Sequence, residues 1–207
     1  MDEVIEILNK LGAIIYNSHF VGTKGVHFDT YMNKDVLYPH TKETSRICEL
    51  FAERYKDKNI EVVVGPALGG IILSQWVTYH LNKMGSSAIS VFTEKDKDEQ
   101  FFSRGYDKLI DGKQILIVED NISTGGSIKK VIKAVQDAGG NIIGVCAMVN
   151  RNPDVNSNTL GVSFESLSEF FVPLYSATDC PLCKQGVSIN TTLGHGKKFL
   201  EEQENKK

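Results

Sequence analysis

Four short apolar runs without polar alternation punctuate this chain, and helix-patterned segments lie between them. Glu61–Val64, Ala88–Phe92, Ile115–Val118 and Ile142–Val149 read as strands. Ile47, Leu50, Phe51 and Arg54 share one face of a helix that follows Thr41, and Gly69–Lys83 and Ser127–Ala138 read as two more helices. Continuous apolar strands are buried on both faces, and helical crossovers are what cover them. The pattern therefore predicts an α/β fold, a central mainly parallel sheet flanked by helices. Ligands of such sheets collect beyond the carboxyl ends of the strands.

The flanks are patterned differently. Before Tyr38 come one short helix, Val4–Leu11, and β-like segments Ala13–Phe20 and Val26–Met32 around Gly22 and Gly25. After Arg151 the chain is loop-rich, with a β-like stretch Phe164–Leu174. At 207 residues the chain has the length of one ordinary domain. The expected division is a core over about 38–150, a small hood from about 1–37 and 151–200 forming a lid at the sheet edge, and a frayed tail over 201–207.

Composition narrows the function classes. A content of 41% hydrophobic and 24% charged residues supports a folded core rather than disorder. With 23 basic against 26 acidic residues the formal charge is −3, so no basic field points to a nucleic-acid backbone. The apolar runs are too short to span a bilayer, and the start of the chain lacks a signal-peptide pattern. A cytoplasmic protein with neither nucleic-acid nor membrane partner is expected.

Of Cys48, Cys146, Cys180 and Cys183, only the last two form a C-x-x-C pair. One pair gives two of the roughly four ligands of a structural zinc, with no second pair and no H-x₃₋₅-H. A redox C-x-x-C opens a helix after an early strand, whereas this one lies in a Pro-containing segment near the C-terminus. The cysteines read as reduced structural thiols. His19 and His27 lack metal-ligand spacing with each other and read as structural too.

The segment with the most chemistry is Ile115–Ser127. An apolar strand delivers Glu119 and Asp120 to its carboxyl end, where two carboxylates can accept hydrogen bonds from a ribose diol. Ser123, Thr124, Gly125, Gly126 and Ser127 then supply hydroxyls, glycine-exposed N–H groups and a helix N-terminus, which favour a phosphate. Acceptors for a sugar beside donors for a phosphate describe a sugar-phosphate site. A capped strand-to-helix turn alone would not explain the adjacent acidic pair. Upstream, Val62–Gly70 repeats the arrangement: a strand ends at Ala67, Leu68, Gly69 and Gly70, whose amides can cradle a second phosphate. G-x-x-x-x-G-K-[ST] and G-x-G-x-x-G are both missing.

These motifs resemble those of the type I phosphoribosyltransferases, whose phosphoribosyl pyrophosphate motif is a strand, two acidic residues and a Thr/Ser/Gly loop. The flanks resemble the orotate phosphoribosyltransferases of that family: Gly12–Ile15, His19–Phe20, Gly25–His27, Asp29–Tyr31 and Asn33–Lys34, then Val91–Lys95 followed by Arg104–Gly105, then Cys180–Gly186. The resemblance covers almost the whole chain.

The resemblance implies a type I phosphoribosyltransferase fold and the transfer of 5-phosphoribose from phosphoribosyl pyrophosphate to orotate, giving orotidine 5′-monophosphate and pyrophosphate in UMP biosynthesis. It implies Mg²⁺, held mainly through substrate and water, and a homodimer with active sites shared between subunits. Asp120 and the loop cations Lys95 and Lys97 are the expected catalytic residues. Glu119 and Asp120 would hold ribose, Ser123 to Ser127 the 5′-phosphate, and Ala67 to Gly70 with Arg104 and Lys24 the pyrophosphate. Arg151 stands where the resemblance places recognition of the orotate carboxylate. Ser123 replaces the usual threonine, and Gly69 stands where some relatives carry lysine. Transfer to another base, purine or uracil, and a non-catalytic sensor of phosphoribosyl pyrophosphate are the alternatives.

Overall fold

A computed structural model describes residues 2–22, 25–97 and 99–204. In chain order the elements are α1 (Glu3–Lys10), β1 (Ile14–Ile15), β2 (Phe20–Val21), β3 (His27–Phe28), β4 (Tyr31–Met32), α2 (Thr41–Tyr55), β5 (Val62–Pro66), α3 (Gly69–Lys83), β6 (Ile89–Asp96), β7 (Glu99–Phe101), β8 (Gln114–Ile122), α4 (Gly126–Asp137), β9 (Asn141–Asn150), α5 (Ser157–Leu160), β10 (Phe164–Glu169), α6 (Pro181–Lys184) and α7 (Gly196–Glu204). The chain divides into two units, Met1–Ile7 with Lys34–Phe171 and Leu8–Asn33 with Val172–Lys207.

The first unit is built on a six-stranded sheet of order β10-β9-β8-β5-β6-β7. Every pairing is parallel except that of the edge strand β7 with β6. Register places Val62 beside both Ile115 and Ile89. On one face, Ile128, Val131, Ile132 and Val135 of α4 pack with Ile115, Ile117, Val145 and Val62. Alternation sends Val63, Leu116 and Val118 to the other face, where α3 packs on β5 and β8. The α/β expectation holds because strands buried on both faces need helices on both.

Helix α2 buries Thr44, Ile47, Cys48, Phe51, Ala52 and Tyr55, a stripe at intervals of three and four. The expected face turns slightly. Leu50 is half-buried and Arg54 is exposed, donating to the carbonyl of Ser166 at 2.6 Å.

Three boundaries differ from the sequence reading. Phe164–Glu169 pairs in parallel with β9, Phe164 beside Val145, so residues expected in the hood belong with the sheet. The charged segment after Phe92 is not an open loop: β6 continues to Asp96 and returns as β7, pairing Lys95 with Gln100. Residues 201–204, expected to fray, continue α7. In the β6–β7 hairpin backbone pairing extends structure past the point where apolar periodicity ends.

In the second unit, β1 pairs with β4 and β2 with β3, both antiparallel, as nested hairpins. Phe20 stacks on Phe28 and tilts against Tyr31, with ring centroids 5.8 and 5.2 Å apart. The C-terminal segment joins through backbone: His27 and Tyr175 exchange hydrogen bonds of 2.8 and 2.9 Å, and Asn190 N–H donates to His19 at 2.7 Å. Among the described residues no helix is long and apolar enough to cross a membrane.

Candidate active site

Strand β8 runs past the expected end at Val118 as far as Ile122, which puts Glu119 and Asp120 inside it. Successive strand side chains point to opposite faces, so the two carboxylates separate rather than forming one grip. Asp120 is buried, 1% exposed, and meets two donors from the segment before α2. Lys34 Nζ lies 2.8 Å from Oδ1 and 2.6 Å from Oδ2, and the Tyr38 hydroxyl donates to Oδ2 at 2.6 Å. Burial and the Asp120 charge push the Tyr38 hydroxyl far up, so it stays a donor. Burial works against the Lys34 ammonium, but Asp120, with Glu119 and Asp35 behind it, outweighs that and raises its pKa.

Glu119 faces the other way and lines a cavity of about 140 Å³ with Asn121 to Ile128. Desolvation, reinforced by the Asp120 charge, pushes its carboxyl up to about 8. The Asp120 N–H donates to it at 2.9 Å. The loop closing this cavity turns at Gly125, whose φ of +73° is the left-handed region a side chain disfavours. Ser123, Thr124, Gly126 and Ser127 are exposed around it, and α4 starts at Gly126 with no side-chain cap. The first intrahelical donor is Lys129, to Gly125 at 3.1 Å, leaving the N–H groups before it for an anion.

The β5–α3 turn is packed backbone on backbone. A Cβ on Gly65 would strike the carbonyl of Gly70, and one on Gly70 would come within 2.5 Å of the Pro66 ring. A Cβ on Gly69 would overlap the Asp120 carboxylate and the Tyr38 hydroxyl. Leu68 is 82% exposed, so this turn presents backbone rather than a packed side chain. Gly69 thus joins the two strand ends at Asp120, and the absence of lysine there leaves room for Lys34 and Tyr38.

The expected cations are dispersed. Lys95 and Lys97 sit exposed at the tip of the β6–β7 hairpin, with Lys97 at φ +50°, and neither has an ion pair among the described residues. Arg104 is bound to Glu94 at 3.0 Å and lies over the Phe92 ring. Neither Lys95, Lys97 nor Arg104 is brought to Asp120. Arg151 is half-buried just beyond β9, and its N–H donates to Ile122 at 2.7 Å, clipping it to the end of β8. Lys24 lies outside the described residues.

This geometry has counterparts. The Phosphoribosyl transferase domain family matches residues 34–161, starting at Lys34 itself. The chain belongs to the phosphoribosyl transferase family. It is 37% identical to the orotate phosphoribosyltransferase of Thermoanaerobacter sp. (strain X514), covering 91% of this chain and 94% of that one. With the orotate phosphoribosyltransferase of Caldanaerobacter subterraneus it shares 35% over the same fractions. Among solved structures, Mycobacterium tuberculosis orotate phosphoribosyltransferase in complex with Fe(III) dicitrate superposes with a TM-score of 0.65, at 21% identity over 82% of this chain and 97% of that one. That last likeness concerns the fold, which is of type I.

Within this family frame, two contacts of Asp120 escape sequence reasoning. Lys34 stands in the sequence only as the end of a resemblance run, and Tyr38 only as a boundary marker. The signal that could have found them is a buried acidic residue on a central strand, which requires donors from elsewhere in the chain.

Proposed function

We propose that the chain transfers 5-phosphoribose from phosphoribosyl pyrophosphate to orotate, the reaction its relatives are named for, giving orotidine 5′-monophosphate and pyrophosphate. One observation carries the reading. Glu119 lines a cavity of about 140 Å³ at the N-terminus of α4, and its neighbour on the same strand, Asp120, is held by Lys34 and Tyr38. That is an acceptor set for a sugar next to a donor set for its 5′-phosphate.

The chemistry follows from charge. Breaking the bond from ribose C1 to pyrophosphate leaves a cationic, oxocarbenium-like sugar and a departing polyanion, so positioning and electrostatic stabilisation do the catalysis. Asp120, held by Lys34 and Tyr38, accepts from the ribose hydroxyls and stabilises positive charge building on the ring. Glu119, lining the cavity, accepts from the ribose as it binds, its proton passing to solvent. Ser123 to Ser127 take the 5′-phosphate. Backbone amides of Ala67 to Gly70, with Lys24, hold the pyrophosphate, and Arg151 pairs with the orotate carboxylate so that the ring nitrogen faces C1. Lys95, Lys97 and Arg104 reach a leaving group in the partner subunit's site, which accounts for their distance from Asp120; the active form is then a homodimer.

Mg²⁺ would be held mainly through substrate and water, with Glu119 and Asp120 as the carboxylates on the ribose side. When bound it neutralises the leaving polyanion. We place the enzyme in the cytoplasm. The test is turnover of phosphoribosyl pyrophosphate and Mg²⁺ with orotate, uracil, adenine and hypoxanthine in parallel. Orotate should be preferred; faster turnover of any other base overturns the reading.

A further inference from the structure

We propose that His19, His27, Cys180 and Cys183 form a tetrahedral zinc site that fastens the N-terminal hairpins to the C-terminal segment. Their four ligand atoms lie within 4.8 Å of one another. All four residues belong to the second unit. His19 directly precedes β2, His27 opens β3, and Cys180 and Cys183 bracket the start of α6.

Three of the nitrogen–sulfur distances are close to those of a coordination shell. A tetrahedron with Zn–N of about 2.0–2.1 Å and Zn–S of about 2.3 Å has N···S edges of about 3.5 Å and an N···N edge of about 3.3 Å. His19 Nε2 lies 3.6 Å from the Cys180 sulfur and 3.8 Å from that of Cys183, and His27 Nδ1 lies 3.4 Å from Cys183. The two imidazoles are 2.8 Å apart, slightly closer than a shared ion would hold them.

Orientation agrees with distance. His19 Nδ1 donates to the carbonyl of Val187 at 2.7 Å, which fixes its tautomer and leaves the Nε2 lone pair aimed into the cluster. A backbone acceptor behind a histidine is the usual support of a metal ligand. With Nε2 of His19 an acceptor, His27 Nδ1 must carry the proton of their shared bond, and that proton moves to His27 Nε2 when Nδ1 takes a metal.

The plainer reading is a hydrogen-bonded histidine pair beside two packed thiols. It leaves the join between the hairpins and the C-terminal segment to a few backbone hydrogen bonds and ring contacts. The pairs β1–β4 and β2–β3 are two residues long per strand, and the cluster joins chain segments 161 residues apart, from His19 to Cys180. Small units with slight cores are commonly held by a structural metal. Two thiolates with two imidazoles select zinc over the oxygen-seeking Mg²⁺, and four protein ligands close the site to substrate. The cluster is independent of the transfer reaction.

Full-length protein purified with reductant from zinc-supplemented cells should carry one zinc per chain by elemental mass spectrometry; less than about 0.1 per chain overturns the proposal. Replacement by Co²⁺ should give thiolate-to-cobalt charge transfer and the intense d–d bands of a tetrahedral ion, and their absence in metal-loaded protein counts equally against it. Chelation should lower Tm by about 5 °C or more. Cys183→Ser changes the solvent-facing member and should leave a folded chain. Its affinity for Co²⁺ should fall at least about ten-fold; a folded variant with unchanged affinity refutes the site.

Discussion

Lys34 Nζ spans both carboxylate oxygens of Asp120, at 2.8 and 2.6 Å, although the two residues are 86 positions apart. The carboxylate is 1% exposed, and a polar group so far from water is costly unless donors are in place. Asp120 is therefore aimed before any sugar reaches it, and loss of the cation is felt in both stability and catalysis.

Lys34→Ala should destabilise the protein by about 1–3 kcal/mol, below the range for fully buried pairs because Lys34 is 38% exposed. Urea unfolding reads this. In the same variant kcat/KM for phosphoribosyl pyrophosphate should drop by about ten-fold or more, as Asp120 loses its orientation. Stability and kinetics both at wild-type level would mean that the Lys34–Asp120 contact does neither.

Gly69→Ala places a methyl group on the Asp120 carboxylate and the Tyr38 hydroxyl. Either the α3 N-terminus or Asp120 must shift, at a cost of about 1–3 kcal/mol typical of overpacking. We expect a folded protein by circular dichroism whose kcat/KM falls at least about ten-fold. Full activity would show that the turn yields freely.

Glu119 gives the ligand-free protein a pH dependence of defined sign. Its carboxyl is raised from an ordinary 4.5 up to about 8, by desolvation first and by Asp120 second. The folded state thus holds a proton that the unfolded chain releases, so this contribution is whole below pH 4.5 and is lost as pH rises through about 8. Glu119→Gln cannot lose a proton. Its Tm relative to wild type should climb across that window and level off above it; a difference that stays constant with pH argues for an ordinary Glu119.

The homodimer proposed above places Lys95 and Lys97 in the partner subunit's site. Asp120→Asn should cost about ten- to a hundred-fold in rate, since hydrogen bonds to charged groups are worth about 1.5–3 kcal/mol. Mixing that chain with a Lys95→Ala, Lys97→Ala chain should restore activity, because some sites then have both intact halves. Heterodimers verified by native mass spectrometry yet inactive would rule out sharing.

Arg151→Ala should separate orotate from uracil, which is the same ring without the carboxylate. Loss of one partner of a buried charge pair costs about 2–5 kcal/mol, so orotate kcat/KM should fall by roughly thirty- to several-thousand-fold while uracil turnover changes little. Equal losses for the two bases would make Arg151 structural.

The sequence by itself determined what neighbouring residues decide. The apolar runs Val62–Val64, Ile115–Val118 and Ile142–Val149 specify strands buried on both faces, and these dictate helices between them and a parallel sheet. The Ser123–Ser127 turn is equally legible, because a positive φ at Gly125 and a helix start at Gly126 are properties of adjacent residues. Tertiary structure decided the rest. Strand β8 continues beyond its apolar run because β9 pairs with it as far as Ile122, and only that extension sends Glu119 and Asp120 to opposite faces. Lys34 and Tyr38 reach Asp120, and His19 and His27 meet Cys180 and Cys183, across 82 to 164 positions. No local period or spacing encodes such meetings; they follow from burial, which forces each polar group that leaves water to find its partner wherever the fold brings one.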